Sequence, residues 1–428
     1  MSLTRALHTA HSGLSTAGYR ADVAAGNIAN ANTPGYVRRE AVITERVGGN
    51  LSDGVYVSAI DRAQDIGISR LRRESDASYG RAIIVSDTYT ELNAELGEPG
   101  SPYSLFATIE LLETSFRDLA TTPESSALQN AVLGASKDLI NKFNDLSALS
   151  TDIRNTADRN IALDVASINK TLHDIHDLNG NIAGLNASSH DVAALEDERQ
   201  RLIDSISAII PIKDVPREDG RVDIITDNGV FLLSGKVNEL SFSPAGSIPS
   251  GAEYGVGVNN LSGLFVGDQD LTPGTGGNFA LTSGTLAGHF AARDSIIPTF
   301  NAQLDSLAED LIARFSSDTL DTTKVAGAPG IFTDAGGPID AGNIPGIAGR
   351  LQINIAIDPA QGGDVSRLRD GLGAAAAGPS GNADLINGYL DALNASSPVP
   401  ASSGLFGKHS DSLWGKPVRN AAAESGLT

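Results

Sequence analysis

The first thirty residues carry the most regular alternation in the chain. Leu3, Leu7, Ala10, Leu14, Ala17, Ala21, Ala24 and Ile28 recur at alternating gaps of four and three residues. That is an a/d seam, one narrow apolar stripe suited to a partner helix. Its positions shrink toward the C-terminal end, which permits close helix approach but little self-burial. A lone helix of this kind is marginal in water, because packing rather than propensity supplies most helical stability. Asn30, Asn32, Thr33, Pro34 and Gly35 then end it with turn chemistry. After the turn pair Asp53-Gly54, Val55 and Val57 alternate with Tyr56 and Ser58, which predicts a hairpin or extended arm.

From about residue 61 the helical period returns. Ile68, Leu71, Ser75, Ser78, Ala82, Val85, Tyr89, Leu92 and Leu96 keep the three/four spacing until Gly97, Pro99 and Gly100 stop it. Leu105, Ile109, Leu112, Phe116 and Leu119 predict a further helix, and Pro123-Glu124 a helix start. Apolar positions then run through Val132, Leu139, Leu146, Ile153, Ile161, Val165, Ile168, Leu172, Ile175, Ile182 and Leu185, with no Pro between 124 and 210. At 1.5 Å per residue, a helix of about 60 residues reaches about 90 Å. Leu195, Leu202, Ile203 and Ile206 mark one more helix, ended by Pro211.

Past residue 211 the texture changes. Val222–Ile225, Val230–Leu233 and Glu239–Phe242 are short apolar runs separated by Gly, Asp and Asn, a strand signature. Leu286, Phe290, Leu304, Leu307, Leu311 and Phe315 restore a helix over 285–316, and a Gly/Pro-rich loop leads to a strand at Leu351–Ile357. The expected fold class is α+β, mainly α: a long antiparallel, coiled-coil-like helical bundle with a small inserted β domain. The expected division is an N-terminal helix and extended arm at 1–60, the bundle at 61–210 plus 285–320, and the β domain at 211–284. Loop, strand and short helices follow at 321–395, and a weakly patterned tail at 396–428.

Composition narrows the function. Among 428 residues, 31 basic and 52 acidic side chains give a formal charge of −21, which repels phosphates and argues against nucleic acid. There is no Cys, so disulfides, thiolate metal sites and cysteine catalysis are excluded. No apolar run is long enough to insert in a membrane, and Met1-Ser2-Leu3-Thr4-Arg5 lacks the apolar core of a cleavable signal.

The chemistry sought in the chain does not converge. His173 and His176, like His8 and His11, stand three apart on one helical face, yet a structural metal site wants three or four ligands. Gly371-Leu372-Gly373-Ala374-Ala375-Ala376 resembles a dinucleotide fingerprint but follows no strand, so it reads as a loop. Acid runs such as Glu196-Asp197-Glu198 read as solvated helix faces in so acidic a chain. Arg70, Arg72, Arg73 and Arg81 form a basic cluster, which reads as local charge compensation ahead of contact with an acidic subunit. No catalytic residue, cofactor site or metal site is assigned.

The segment Ser12-Gly13-Leu14 with Asn27-Ile28-Ala29-Asn30-Ala31-Asn32-Thr33-Pro34-Gly35-Tyr36 closely resembles the N-terminal signature of bacterial flagellar axial proteins, the rod, hook and hook-associated proteins. Within that group, Tyr36–Glu40, Gly54–Arg62, Leu195–Ile203 and Ser283–Asp294 are similar to stretches of the hook-associated protein 1 family, the FlgK-type hook–filament junction proteins. The resemblance implies a non-catalytic structural subunit outside the cell, in the flagellum, exported without a cleavable signal through the flagellar type III export apparatus. It implies a ring of copies between the hook protein and the second junction protein (hook-associated protein 3), an export chaperone, and no membrane insertion. The assembly interface it implies is Leu3, Leu7, Ala10, Leu14, Ala17, Ala21, Ala24, Asn27, Ile28, Asn30, Asn32, Pro34, Gly35 and Tyr36, with the bundle as a stiff middle layer and the β domain outward.

One departure stands out. Family members close with a C-terminal helix that pairs with the N-terminal one, whereas this chain ends at Ala421–Thr428 without it. The expectation is a shortened chain with impaired polymerisation and chaperone recognition. Two rival readings are a hook or rod subunit, and a wall-cleaving hydrolase housed in the Gly-rich 211–360 region. The long helix at 125–186 favours a junction protein over the first, and the lack of convergent acid/base residues disfavours the second.

Overall fold

The computed structural model describes residues 3–33, 35–48, 51–98, 100–187, 192–255 and 261–395. Pro34, Pro99 and the tail at 396–428 lie outside the described residues. The predicted first helix is α1 (Leu3–Ala29), and the predicted arm is an antiparallel hairpin of β1 (Arg39–Gly48) and β2 (Leu51–Arg62). Four helices follow: α2 (Ile66–Leu96), α3 (Leu105–Thr121), the 62-residue α4 (Ser126–Ala187) and α5 (Ala193–Ser207). Ser104 caps α3 by accepting from the Ala107 amide, which satisfies one of the unpaired first-turn donors.

Beyond residue 211, β3 (Ile212–Pro216), β4 (Val222–Thr226), β5 (Phe231–Ser234) and β6 (Lys236–Val237) join in one antiparallel sheet. Of the runs expected there, Val222–Ile225 forms β4, Val230–Leu233 forms β5, and Glu239–Phe242 gives β7 (Leu240–Ser241). A second small sheet holds β7, β8 (Phe265–Val266) and β9 (Gln269–Asp270). The return helix is α6 (Gly284–Ala291), a π-helical turn (Ala292–Ile296) and α7 (Ile297–Phe315). After it come the two-stranded pair β10 (Phe332–Asp334) and β11 (Leu351–Ile353), the single turn α8 (Arg367–Asp370) and α9 (Asp384–Asn394). This is the α+β, mainly helical class that the pattern predicts.

The chain divides into two compact units. The first comprises residues 1–84, 160–244 and 263–290. Its core joins Ile161, Val165, Ile168, Leu172 and Ile175 of α4 to Ile203 and Ile206 of α5, with Ile224, Leu232, Leu233, Leu240 and Val266 from the strands. The sheets therefore share a core with helices instead of owning one. The second unit comprises residues 85–159, 245–262 and 291–428. Its core gathers Leu112, Phe116 and Leu119 of α3, Leu139, Phe143 and Leu146 of α4, Leu311 and Phe315 of α7, and Tyr389 of α9. Phe116, Phe315, Phe332 and Tyr389 stack and edge together there, with centroids 5.1 to 5.9 Å apart.

Three patterns land differently from their reading. The strand read over Leu351–Ile357 stops at Ile353, because Asn354 accepts the Ala356 amide and caps a 3-10 turn at Ile355–Ile357. The helix read as running through 285–316 is interrupted by the π turn, which places Arg293 in the interior, fully buried. There Arg293 donates from Nη1 to Asp158 Oδ1 and from Nε to Asp294 Oδ1, both at 2.8 Å, and from Nη2 to the Ser262 carbonyl at 2.9 Å. On α2, the apolar stripe packs only toward its C-terminal end, at Val85, Leu92 and Leu96. Ile68, Leu71, Tyr79 and Tyr89 are exposed, while Arg73, Ala77, Gly80, Thr88 and Leu92 are buried. The cause lies in charge: Arg73 reaches Asp204 Oδ1 at 2.8 Å and Asp214 Oδ1 at 2.6 Å, and turns that side of α2 inward. Arg72 also pairs with Asp204, so these two arginines do compensate local acids.

Candidate functional site

The residues singled out by the sequence lie on α1 and the turn after it, all within the first unit. Every member of the a/d seam points away from the protein. Leu3, Leu7, Leu14 and Ile28 are 88%, 71%, 74% and 78% exposed, and Ala10, Ala17, Ala21 and Ala24 are exposed with them. The opposite stripe of the same helix is the one that packs. Ser12, Thr16, Val23, Asn27 and Asn30 are buried or half-buried at helical spacing and lie against the β1–β2 hairpin.

That packing is polar. Ser12 Oγ accepts the Val55 amide at 3.2 Å, over Gly54, whose φ of +104° and lack of a Cβ leave room for the hydroxyl. Thr16 Oγ1 turns back to the Ser12 carbonyl at 2.9 Å. Asn27 works as a false β-strand. Its Nδ2 donates to the Arg39 carbonyl and its Oδ1 accepts the Arg39 amide, each at 2.9 Å, while Tyr36 Oη donates to the same Oδ1 at 2.8 Å. Asn30 Nδ2 donates to the Gly26 carbonyl at 3.0 Å, and Thr33 Oγ1 to Asn30 Oδ1 at 3.2 Å, which closes the helix end. Asn32 and Gly35 stand exposed in the turn. Gly35 takes φ +80°, and a Cβ there would collide with the Arg201 side chain of α5.

The hairpin is tied at its root to α5. Arg39 and Arg62 are a directly opposed cross-strand pair. Both reach Asp197: Arg39 Nη2 lies 3.1 Å from Oδ2, and Arg62 Nε donates to Oδ1 at 2.9 Å. The Arg39 guanidinium also sits over the Tyr36 ring, 5.1 Å from its centroid. Gln64 Nε2 donates to Gln200 Oε1 at 3.1 Å beside them. Asp197 is only 6% exposed, so the reading of Glu196-Asp197-Glu198 as a solvated face fails at its middle residue. Nothing local marks Asp197. Its partners stand 158 and 135 residues away, beyond the reach of spacing arguments.

The other chemical candidates stay apart. His173 pairs with Glu239 at 2.8 Å and His176 with the Gly235 carbonyl at 3.2 Å, both at the surface. Among the described residues, no group of three or more His, Asp or Glu is placed to hold a metal ion. Gly371–Ala376 leaves the turn α8 as a loop, with the Leu372 amide on Asp321 Oδ2 at 2.8 Å. Burial lowers the His289 pKa to about 4, and the same effect raises that of Asp164, whose Oδ2 lies 4.0 Å from His289 and accepts from Thr285 Oγ1. No described helix is long and apolar enough to cross a membrane.

A family model described as the flagellar hook-associated protein FlgK helical domain matches residues 90–331, more than half of the chain. The chain belongs to this family. A second model, flagella basal body rod protein, matches residues 7–36, which cover most of α1 and the turn after it. Flagellar hook-associated protein 1 of Salmonella typhimurium is 25% identical over 255 residues, covering 57% of this chain and 45% of that protein. The Bacillus subtilis protein of the same name is 21% identical over 388 residues, covering 84% of this chain and 76% of its own length. The chain thus spans less than half the length of the Salmonella relative. A solved structure, the flagellar hook junction protein FlgK from Burkholderia pseudomallei, is similar over 61% of this chain and 46% of that one, with 15% identity and a TM-score of 0.47.

Proposed function

We propose that the protein is a structural subunit of the bacterial flagellum that self-assembles at the hook–filament junction and has no catalytic role. The observation that carries this reading is α1 itself. It anchors its polar stripe on the hairpin and leaves a complete a/d seam, from Leu3 to Ile28, without cover among the described residues. An exposed apolar stripe of that length is costly in water and becomes favourable when other helices bury it. Family membership supplies the setting, and the match at residues 7–36 to the rod-protein model supports an axial role for the same segment.

On this reading the interface comprises Leu3, Leu7, Ala10, Leu14, Ala17, Ala21, Ala24 and Ile28, together with Asn27, Asn30, Asn32, Pro34, Gly35 and Tyr36. The partners are copies of the chain in a ring, the hook protein on one side and the second junction protein on the other. The route is the flagellar export apparatus, with a chaperone and without a cleavable signal, to a place outside the cell. The test is Leu7→Asp with Leu14→Asp, expressed in the source bacterium lacking its own copy. The variant is expected to be missing from sheared flagella while its circular dichroism matches the parent. Incorporation at the parental level would overturn the reading.

A further inference from the structure

The hairpin root combines three features that the packing of α1 alone does not require. Arg39 and Arg62 stand directly opposite one another in the β1–β2 ladder, an arrangement that repels when nothing lies between them. Asp197 from α5 lies between the two, contacting one with each oxygen, and its neighbour Glu196 lies 3.7 Å from Arg62 alone. From there an unbroken set of contacts leads back to the assembly helix: Arg39 over the Tyr36 ring, Tyr36 Oη on Asn27 Oδ1, and Asn27 on the last turn of α1. Arg201 and Gln200, one helical turn along α5 from Asp197, meet Gly35 and Gln64 on the same root.

We propose that Asp197 is a positioning residue for assembly: by holding Arg39 and Arg62 it fixes the direction in which the hairpin, and α1 on top of it, leaves the first unit. The inference rests on the reading of α1 as the assembly helix and adds what aims it. A two-stranded hairpin has no sheet to brace it and is marginal on its own. Its orientation depends on side chains at its base. Asp197 supplies a charge-assisted clasp joining both arginines; its removal leaves Arg62 with Glu196 alone and Arg39 facing it without the shared carboxylate. An assembly helix with a loose root pays an ordering cost each time a copy docks. Asp197 thus acts on assembly from outside the assembly surface.

The chain contains no Cys, so two spin labels can be placed without background. In the full chain, Ser15→Cys on α1 and Lys170→Cys on α4 report the distance from the arm to the body of the first unit. The parent is expected to give one narrow distance peak. Asp197→Ala is expected to lose that peak to a broad distribution with unchanged helix content, and to lose incorporation into flagella. Asp197→Glu, which keeps the carboxylate, is expected to retain both. If Asp197→Ala does not fold, Arg39→Gln with Arg62→Gln replaces it, and the same broadening is expected. A narrow peak that survives loss of the clasp would overturn the proposal, as would normal incorporation of the loosened variant. Failure of the underlying reading is registered separately, by flagella that take up the Leu7→Asp, Leu14→Asp protein.

Discussion

Along α4 the seam residues Val132, Leu139, Leu146, Ile153, Ile161, Val165, Ile168, Leu172, Ile175 and Ile182 are all buried. Leu185 near the end is half-exposed, and off the seam Leu163 is 67% exposed. Along α1 the eight seam residues from Leu3 to Ile28 are all exposed. The repeat is of one kind in both helices, and local helix geometry treats them alike. What differs is the surroundings. Strands β3 to β5, helix α5 and α6 cover the second half of α4 in one unit, and α3, α7 and α9 cover its first half in the other. Periodicity therefore reports which face of a helix gains from burial, and leaves open whether the same chain supplies the cover. Helix α1 shows the second answer in full, and α2 shows it in part, since its apolar stripe is turned out by the inward pull of Asp204 and Asp214 on Arg73.

The strongest way to break this comparison is to truncate the same side chain in each helix. Leu146 of α4 is fully buried in the core of the second unit. Leu146→Ala is expected to cost about 2–5 kcal/mol, the range for removing a buried leucine and leaving a cavity. Urea unfolding followed by circular dichroism measures it, with the two units free to unfold in separate steps. A cost below that of a surface change would mean that the α4 seam is not the support it looks to be.

A second route tests the buried seam without touching α4. His289 on α6 sits beside Phe290 and Leu286, which belong to the core over Ile161 to Ile175. Burial lowers its pKa from 6.5 to about 4, so the folded state holds the imidazole neutral. Between those values the unfolded chain binds the extra proton, and stability is lost as pH falls from about 6.5 toward 4. The expected loss is about 3 kcal/mol from this one group. Asp164, with its pKa raised by burial, has the opposite sign, because its folded form takes up a proton more readily. The quantity to measure is thus the difference between parent and His289→Gln across pH 7 to 4. A parent and variant with parallel pH profiles would show that the histidine is wetter than its position indicates.

The sequence makes the elements of this fold legible and leaves their pairings largely closed. Helix α4, the hairpin, the strands past residue 211 and both helix-ending turns follow from period and from turn residues. The seam of α1 follows too, from Leu3 to Ile28, while its exposure in this chain does not, because the pattern names no partner helix. A second stripe on α1, Ser12, Thr16, Asn27 and Asn30, is equally present as a pattern, but spacing alone does not name the hairpin that packs against it. Asp197 and Arg293 are the clearest cases of information that spacing does not hold. Each is a charged residue that becomes interior because partners far along the chain converge on it. A buried charge must be paired to be tolerated, and pairing across such distances is a property of the fold.

The smallest expected effect is the most discriminating. Leu7→Ala removes the same atoms as Leu146→Ala, but from a side chain 71% exposed in this chain. Because the leucine already stands in water, its truncation opens no cavity, and the stability of the isolated protein is expected to move by no more than about 0.5 kcal/mol. Alanine is also the better helix former, so even the sign can favour the variant. The seam matters only where another helix covers it. The change should therefore appear in association measured by sedimentation at rising concentration, and not in unfolding of the dilute protein. If Leu7→Ala instead destabilised the dilute protein as strongly as Leu146→Ala, the seam of α1 would have a partner within this chain, and the contrast between the two helices would collapse.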